Sequence, residues 1–257
     1  LLYEAFGWEV PKYIHVEHIM RDAKHKLSKR DGDAYFGDYV AKGYLVEAIV
    51  NYIALLGWAP KGENEIFSLQ ELIKEFDIKG LSKSPAIFDE AKLKHINGEY
   101  IRKMTPEEFY AHAEPYIKQV VKRTDVDLRF IASILQPRTE IFTDIPAQVD
   151  FIDALPEYDN SMYCHKKMKT NEETSLEALK KALPVIENID EWTVDNIHEK
   201  LFALIAELGV KNGYMLWPLR TALSGKQFTP GGAIELLAIL GKEDSVARIK
   251  HGIEKLS

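Results

Sequence analysis

Cysteine is almost missing from this chain of 257 residues: Cys164 stands alone. One thiol cannot close a disulfide within the chain or supply the paired cysteines of a structural zinc site. That favours a reducing, cytoplasmic setting. Long apolar runs are missing too. No stretch approaches the roughly 18 unbroken apolar residues that a membrane-spanning helix needs, so no membrane partner is expected. The opening residues, Leu1 to Val10, lack the basic segment and cleavage site of a signal peptide. Alternating strand patterns are scarce, and Tyr13-Ile14-His15-Val16 is the best of them.

Positive charge is in deficit. Lysine and arginine number 33 against 40 aspartates and glutamates, for a net charge of −7. As a total, this argues mildly against a nucleic-acid partner. Phosphate contacts, however, depend on local patches and not on a basic sum. Two patches stand out. Between Asn160 and Asn171, His165, Lys166, Lys167 and Lys169 occur with no acid. Between Lys92 and Met104, the bases Lys92, Lys94, Arg102 and Lys103 outnumber Glu99. The plain alternative for either patch is a solvated helix face.

What is present is helix pattern. Hydrophobic content of 46% and charged content of 28% are ordinary for a globular protein. The length suits one large domain or two to three small ones. Leu1 to Phe6 reads as the end of a helix already under way, and the first residue is not Met, so we expect a chain whose N-terminal part is missing. Leu45, Ala48, Ile49, Tyr52, Ile53 and Leu56 keep helical spacing up to a stop at Gly57. Ser68-Leu69-Gln70-Glu71 has the form of a capping box. Asp89 can cap a helix reaching about Asn97, ended by Gly98. Thr105-Pro106-Glu107-Glu108 is a stronger start signal, and a helix from Asp127 to Leu135 should end at Pro137. Five amphipathic helices follow: Thr174 to Ile186, Thr193 to Leu208, Asn212 to Leu223, Thr229 to Leu240 and Asp244 to Leu256. Gly209, Gly225 and Gly241 stand where their stops belong. The fold class expected is therefore mainly α, with a small α/β remnant at the N-terminus.

One segment is chemically unusual. Lys26-Leu27-Ser28-Lys29-Arg30 sets three cations and a hydroxyl on a loop between a strand and the helical region. Such a loop suits a polyphosphate, because flexible lysines can follow charge that grows on the leaving group. Lys-Leu-Ser-Lys-Arg resembles the second signature of class I aminoacyl-tRNA synthetases, in the form used by bacterial-type glutamyl-tRNA synthetases. Further blocks resemble that family in the right order along nearly the whole chain. They include Leu2-Tyr3-Glu4-Ala5-Phe6-Gly7-Trp8, Gly43-Tyr44-Leu45, Asn51-Tyr52, Ala54-Leu55-Leu56-Gly57-Trp58, Phe88-Asp89 and Asn97-Gly98-Glu99-Tyr100-Ile101-Arg102. Gln136-Pro137-Arg138-Thr139-Glu140, Trp217-Pro218-Leu219-Arg220 and Leu240-Gly241-Lys242-Glu243 complete the series.

The resemblance implies a C-terminal portion of a glutamate–tRNA ligase: residues 1–35 ending a Rossmann-like catalytic domain, 36–104 a helical stem-contact domain, 105–160 and 161–257 two helical anticodon-binding subdomains. It implies ATP with Mg2+ and L-glutamate as reactants of the full-length enzyme, none bound to this portion, and tRNA-Glu as the partner of a monomer. It implies that Lys29 is catalytic, contacting ATP phosphates with Lys26, Ser28 and Arg30 in support. Lys92 and Arg102, with Lys94 and Lys103 beside them, become backbone contacts to tRNA; Arg138, Arg220 and Thr229 fall near the anticodon. Two departures stand against it. The family's His-x-Gly-His-type ATP motif is nowhere in the chain, and Gly232 stands where a large apolar side chain is usual. Glutaminyl and archaeal-type enzymes read the anticodon with β-barrels, which this helical half does not suggest. A short tRNA-modifying paralogue would stop soon after the lysine motif, and a helical scaffold would bind tRNA without regard to its anticodon.

Overall fold

Residues 1–28 and 35–257 are described in a computed structural model. Among them, thirteen α-helices and one two-stranded sheet make up the regular structure, as a mainly α sequence leads one to expect. No helix among these residues is long and apolar enough to cross a membrane. The chain divides into two compact units, Leu1–Tyr100 and Ile101–Ser257.

The first unit contains α1 (Leu2–Ala5), α2 (Phe36–Ala41), α3 (Val46–Gly57), α4 (Leu69–Glu75) and most of α5 (Glu90–Lys103). Strand β1 (Ile19–Met20) pairs in parallel with β2 (Ala86–Ile87), Ile19 opposite Ala86. Tyr13–Val16 forms no strand, and Tyr13 is 74% exposed. Alternation marks residues that could share a face, but a strand needs a neighbour for its backbone. Two-residue strands such as β1 leave no period to read.

Several blocks that resemble the synthetase family are buttresses. Asn51, buried on α3, donates from Nδ2 to Glu65 O (2.8 Å) and accepts at Oδ1 from Phe67 N (2.7 Å). The Tyr100 hydroxyl donates to the same Oδ1 at 3.0 Å and also reaches Phe67 O. Burial pushes that phenol up to about 12, with the charges of Glu47 and Glu71 adding to it. Asn97 accepts from Leu45 N at 2.8 Å, fixing the residue that precedes α3. The expected helix end at Gly98 is not found. Gly98 is buried and α5 continues to Lys103, tertiary packing overriding a weak local propensity.

The second unit contains α6 (Pro106–Val120), α7 (Leu128–Leu135), α8 (Ile145–Val149), α9 (Glu172–Glu187), α10 (Val194–Glu207), α11 (Asn212–Ser224), α12 (Ala233–Leu240) and α13 (Lys242–Leu256). Local chemistry sets most of the starts. Thr105 Oγ1 accepts from Glu108 N (3.2 Å) while Glu108 Oε2 accepts from Thr105 N (2.8 Å). Asp127 takes the amides of Arg129 and Phe130 at 2.8 and 3.1 Å. Gly209, Gly225 and Gly241 hold φ of 62°, 59° and 78°, the left-handed values that suit glycine at a helix end.

Three starts lie elsewhere than expected: α9 opens at Glu172, capped by Asn171, and not at Thr174; α13 opens at Lys242 and not at Asp244; the third differs most. Helix α12 opens at Ala233, not Thr229, and Glu235 Oε2 accepts from Gly232 N at 2.8 Å to cap it. The Thr229 hydroxyl caps nothing: its oxygen accepts from Arg220 Nη1 at 3.2 Å, and its proton goes to Gly231 O at 2.6 Å.

Arg248 is the polar centre of this unit, only 5% exposed. A guanidinium has five N–H donors. Nε and Nη2 hold Asp244 at 2.9 and 3.0 Å. Nη1 donates to Phe151 O and Leu223 O, both at 2.8 Å, and Nη2 to Ile152 O at 3.0 Å. Thus every donor is used, and the end of α11 is tied to α13 and to the turn after α8. Arg123 Nη1 also donates to Asp244 Oδ2, at 2.9 Å. Arg248→Met should lower the stability of the chain by about 3–5 kcal/mol, the range for breaking a buried ion pair from one side. Urea unfolding checks this; an unchanged midpoint would show that the carbonyls find other partners.

Candidate nucleic-acid interface

Three residues far apart in sequence meet in the second unit. Arg138 ends a 3-10 turn, Gln136–Arg138, that follows α7. The turn is held by Gln136 Nε2, which donates to Met104 O (2.8 Å) and Ile101 O (3.1 Å) at the end of α5. From there Arg138 Nη1 donates to Thr229 O at 3.0 Å. Arg220, on α11, donates from Nη1 to Thr229 Oγ1 at 3.2 Å and from Nη2 to Gln227 O at 2.8 Å. Buried Thr229 therefore carries one arginine on its carbonyl and another on its hydroxyl.

Neither guanidinium is in an ion pair among the described residues. Arg220 instead lies over the Trp217 ring, 4.2 Å from its centroid. The two residues are three apart on α11 and so share a face. Burial holds the Arg220 guanidinium below the usual arginine range, and the like charge of Arg138 adds to that. The pair would be relieved by an acceptor, and Arg220 has spare donors: two of its five N–H groups are engaged in these hydrogen bonds.

Both arginines line a cleft of about 410 Å³ with Met168, Trp217 and Gly232 among its other walls. Gly232, exposed at the start of α12, contributes no side chain there. An aromatic face lies on the same loop, however: Phe228, next to Thr229, is 81% exposed. Sequence reasoning passed it over because a single aromatic between Gln227 and Thr229 has no period. An apolar cleft with two unneutralised guanidinia is chemically suited to planar, acceptor-rich groups such as nucleobases and their phosphates.

The remaining candidates stand in other settings. Lys26 is exposed and forms an antiparallel bridge with Met20, while Leu27 N donates to Ile19 O at 3.0 Å. Asp22 shapes the turn before it. Hydrogen bonds from the amide of Lys24 and from His25 hold its carboxyl at about 2. Ser28 is half-buried; Lys29 and Arg30 lie outside the described residues. In the first unit, Lys92 Nζ pairs with Glu65 at 2.6 Å, and Lys94 is half-buried with a partner of its own. In the second unit, Arg102 is likewise half-buried and partnered, and Lys103 is exposed.

Comparison with known proteins follows the same division. Residues 108–253 match the family described as "Anticodon binding domain". Residues 1–95 match "tRNA synthetases class I (E and Q), catalytic domain". The chain is 58% identical over 255 residues to a glutamate–tRNA ligase of Clostridium acetobutylicum, covering 99% of this chain and 53% of the relative. It is 60% identical over 257 residues to one of Clostridium botulinum, with 99% and 53% covered. Among solved structures, a glutamate tRNA ligase from Elizabethkingia meningosepticum, in complex with its amino acid, superposes with a TM-score of 0.82 at 31% identity, over 100% of this chain and 54% of that one. A glutamate-tRNA synthetase from Elizabethkingia anophelis gives 0.82 at 29%, over 98% and 53%. The chain thus spans about half the length of the curated relatives it matches. Over most of its second unit it belongs to the anticodon-binding-domain family, and residues 1–95 carry part of a class I (E and Q) tRNA synthetase catalytic domain.

Proposed function

We propose that this chain is the tRNA-holding portion of a glutamate–tRNA ligase, an enzyme that activates glutamate with ATP and transfers it to the 3' end of tRNA-Glu. The observation that carries the reading is the meeting of Arg138, Arg220 and Thr229 at one cleft with no carboxylate, among the described residues, paired to either guanidinium. In this role the cleft reads unpaired anticodon bases. Arg220, braced by Trp217 and Gln227 O, presents a planar donor fork to a base edge or a phosphate. Phe228 offers a face for stacking, which every base can use. Residues 105–160 and 161–257 act as the anticodon-binding subdomains. Residues 36–104 act as the stem-contact region, where Lys92, Lys94 and, with Lys103, Arg102 touch the RNA backbone and position it without reading sequence.

ATP enters as a substrate. Of the loop assigned to its phosphates, Lys26 is exposed and able to reach an anion, and Ser28 lies two residues on. Lys29 is assigned the contact that strengthens as charge develops on the leaving group, with Arg30 beside it. The His-x-Gly-His-type motif does not occur in these residues. The purified 257-residue chain should accordingly give no glutamate-dependent pyrophosphate exchange; measurable exchange would contradict the division of labour.

In the complete enzyme, Lys29→Ala should slow adenylate formation by about 10²–10³-fold, the usual cost of losing one such donor, with tRNA affinity little changed. A normal activation rate would remove Lys29 from the role. At the cleft, Arg220→Ala should cost about 1–3 kcal/mol of binding with the native anticodon and less with a substituted base. Titration of both transcripts tests this, with a thermal melt to show that the loop at Gln227–Thr229 survives. Equal weakening for all anticodons would make Arg220 a phosphate contact, and no change in either would make it structural.

A further inference from the structure

The three lysines of the stretch 160–171 have no individual role in the reading so far, and the turn that carries them has a specific geometry. His165 and Thr170 pair in an antiparallel bridge, His165 N donating to Thr170 O (3.0 Å) and Thr170 N to His165 O (3.3 Å). Between them Lys166, Lys167, Met168 and Lys169 form the tip of a hairpin, closed by Lys169 N to Lys166 O at 3.3 Å. Lys169 has φ 58°, the only positive value at a non-glycine residue among those described. A left-handed L-residue costs roughly 1–2 kcal/mol, so the surroundings must hold the turn.

They do. Thr170 Oγ1 donates to Tyr163 O at 2.8 Å, and Ser175 Oγ to the same carbonyl at 3.3 Å. The His165 ring packs on Trp217, centroids 4.1 Å apart, and Trp217 Nε1 donates to Met162 O at 3.0 Å. Met168 packs on Gly213, where any Cβ would overlap its thioether. The ring that braces Arg220 therefore also braces the hairpin, and Met168 lines the same cleft as Arg138 and Arg220.

Three ammonium groups remain on this anchored, strained tip. All three are exposed, and no carboxylate pairs with them among the described residues. The next acids, Glu172 and Glu173, sit in the first turn of α9, where the helix dipole already favours them. Three clustered cations repel one another in the free protein; a polyanion laid across the tip turns that repulsion into attraction.

We propose that the His165–Thr170 hairpin is a phosphate clamp. It grips the RNA backbone beside the bases lying in the Arg138–Arg220 cleft. The proposal rests on the anticodon reading of that cleft and adds to it a sequence-independent grip on the cleft's other wall. Backbone contacts of this kind set register and contribute salt-dependent affinity without reading sequence.

The test uses the 257-residue chain, a tRNA-Glu transcript and the same transcript with substituted anticodon bases, each titrated at several salt concentrations. Replacing Lys166, Lys167 and Lys169 with Gln should weaken binding of both transcripts by the same factor. The slope of log affinity against log salt should become shallower by about 0.7 for each single-strand phosphate no longer neutralised, so by about 2 if each lysine holds one. Lys169→Gly alone should keep the turn and flatten the slope by one such step. Arginine at the same positions should restore the slope. An unchanged slope in the triple variant, with folding intact by thermal melt, overturns the clamp. Failure of the anticodon reading shows separately: wild-type chain would then bind both transcripts equally, while the clamp's slope change would persist. A chain that binds neither transcript overturns both.

Discussion

The guanidinium of Arg248 is the constraint on which the second unit depends. Its five donors are spent on one carboxylate and three main-chain carbonyls, from Phe151, Ile152 and Leu223. A buried charge is tolerable only when paired and fully hydrogen-bonded. Asp244 supplies the pairing, four residues before it on α13, and Arg123 shares that carboxylate from a separate segment. Because Leu223 lies near the end of α11, the network fixes the helix that carries Trp217 and Arg220. The apolar core packs these helices together; the arginine sets which carbonyls face it and hence how α11 is placed.

The candidate interface follows from that placement. Trp217 sits between two cationic devices: Arg220 over its ring and the His165 hairpin against it. Thr229 then closes the site by taking Arg138 and Arg220 on its two oxygens. Such an arrangement is stable without ligand, yet it leaves positive charge unneutralised at a cleft. Structural arginines usually end on carboxylates, as Arg123 and Arg248 do here. The contrast between those two and the pair at Thr229 separates the arginines that hold the fold from those available to a partner.

Much of the fold is legible in the sequence because its signals are local. Ser68, Thr105, Asp127 and Thr193 each accept an amide two or three residues on, and glycines with positive φ end the helices. Where a distant residue competes, the local signal misleads. The Thr229 hydroxyl is taken by Gly231 O and Arg220, so the helix opens at Ala233. Asn97 and Gly98 look like a helix end, yet Asn97 is spent on Leu45 N and the helix runs past both. The residues of the cleft could be named from resemblance, and the spacing of Trp217 and Arg220 could have suggested their stack. Phe228 and the Arg248 network could not have been named. One has no period, and the other joins positions up to 121 residues apart.

The central claim is that the second unit holds an anticodon loop. Hydroxyl-radical footprinting of a tRNA-Glu transcript on the 257-residue chain tests it most directly. The account predicts protection of the anticodon-loop backbone at RNA concentrations where binding is half-saturated. Bound RNA whose anticodon loop remains as reactive as in the free transcript would contradict it.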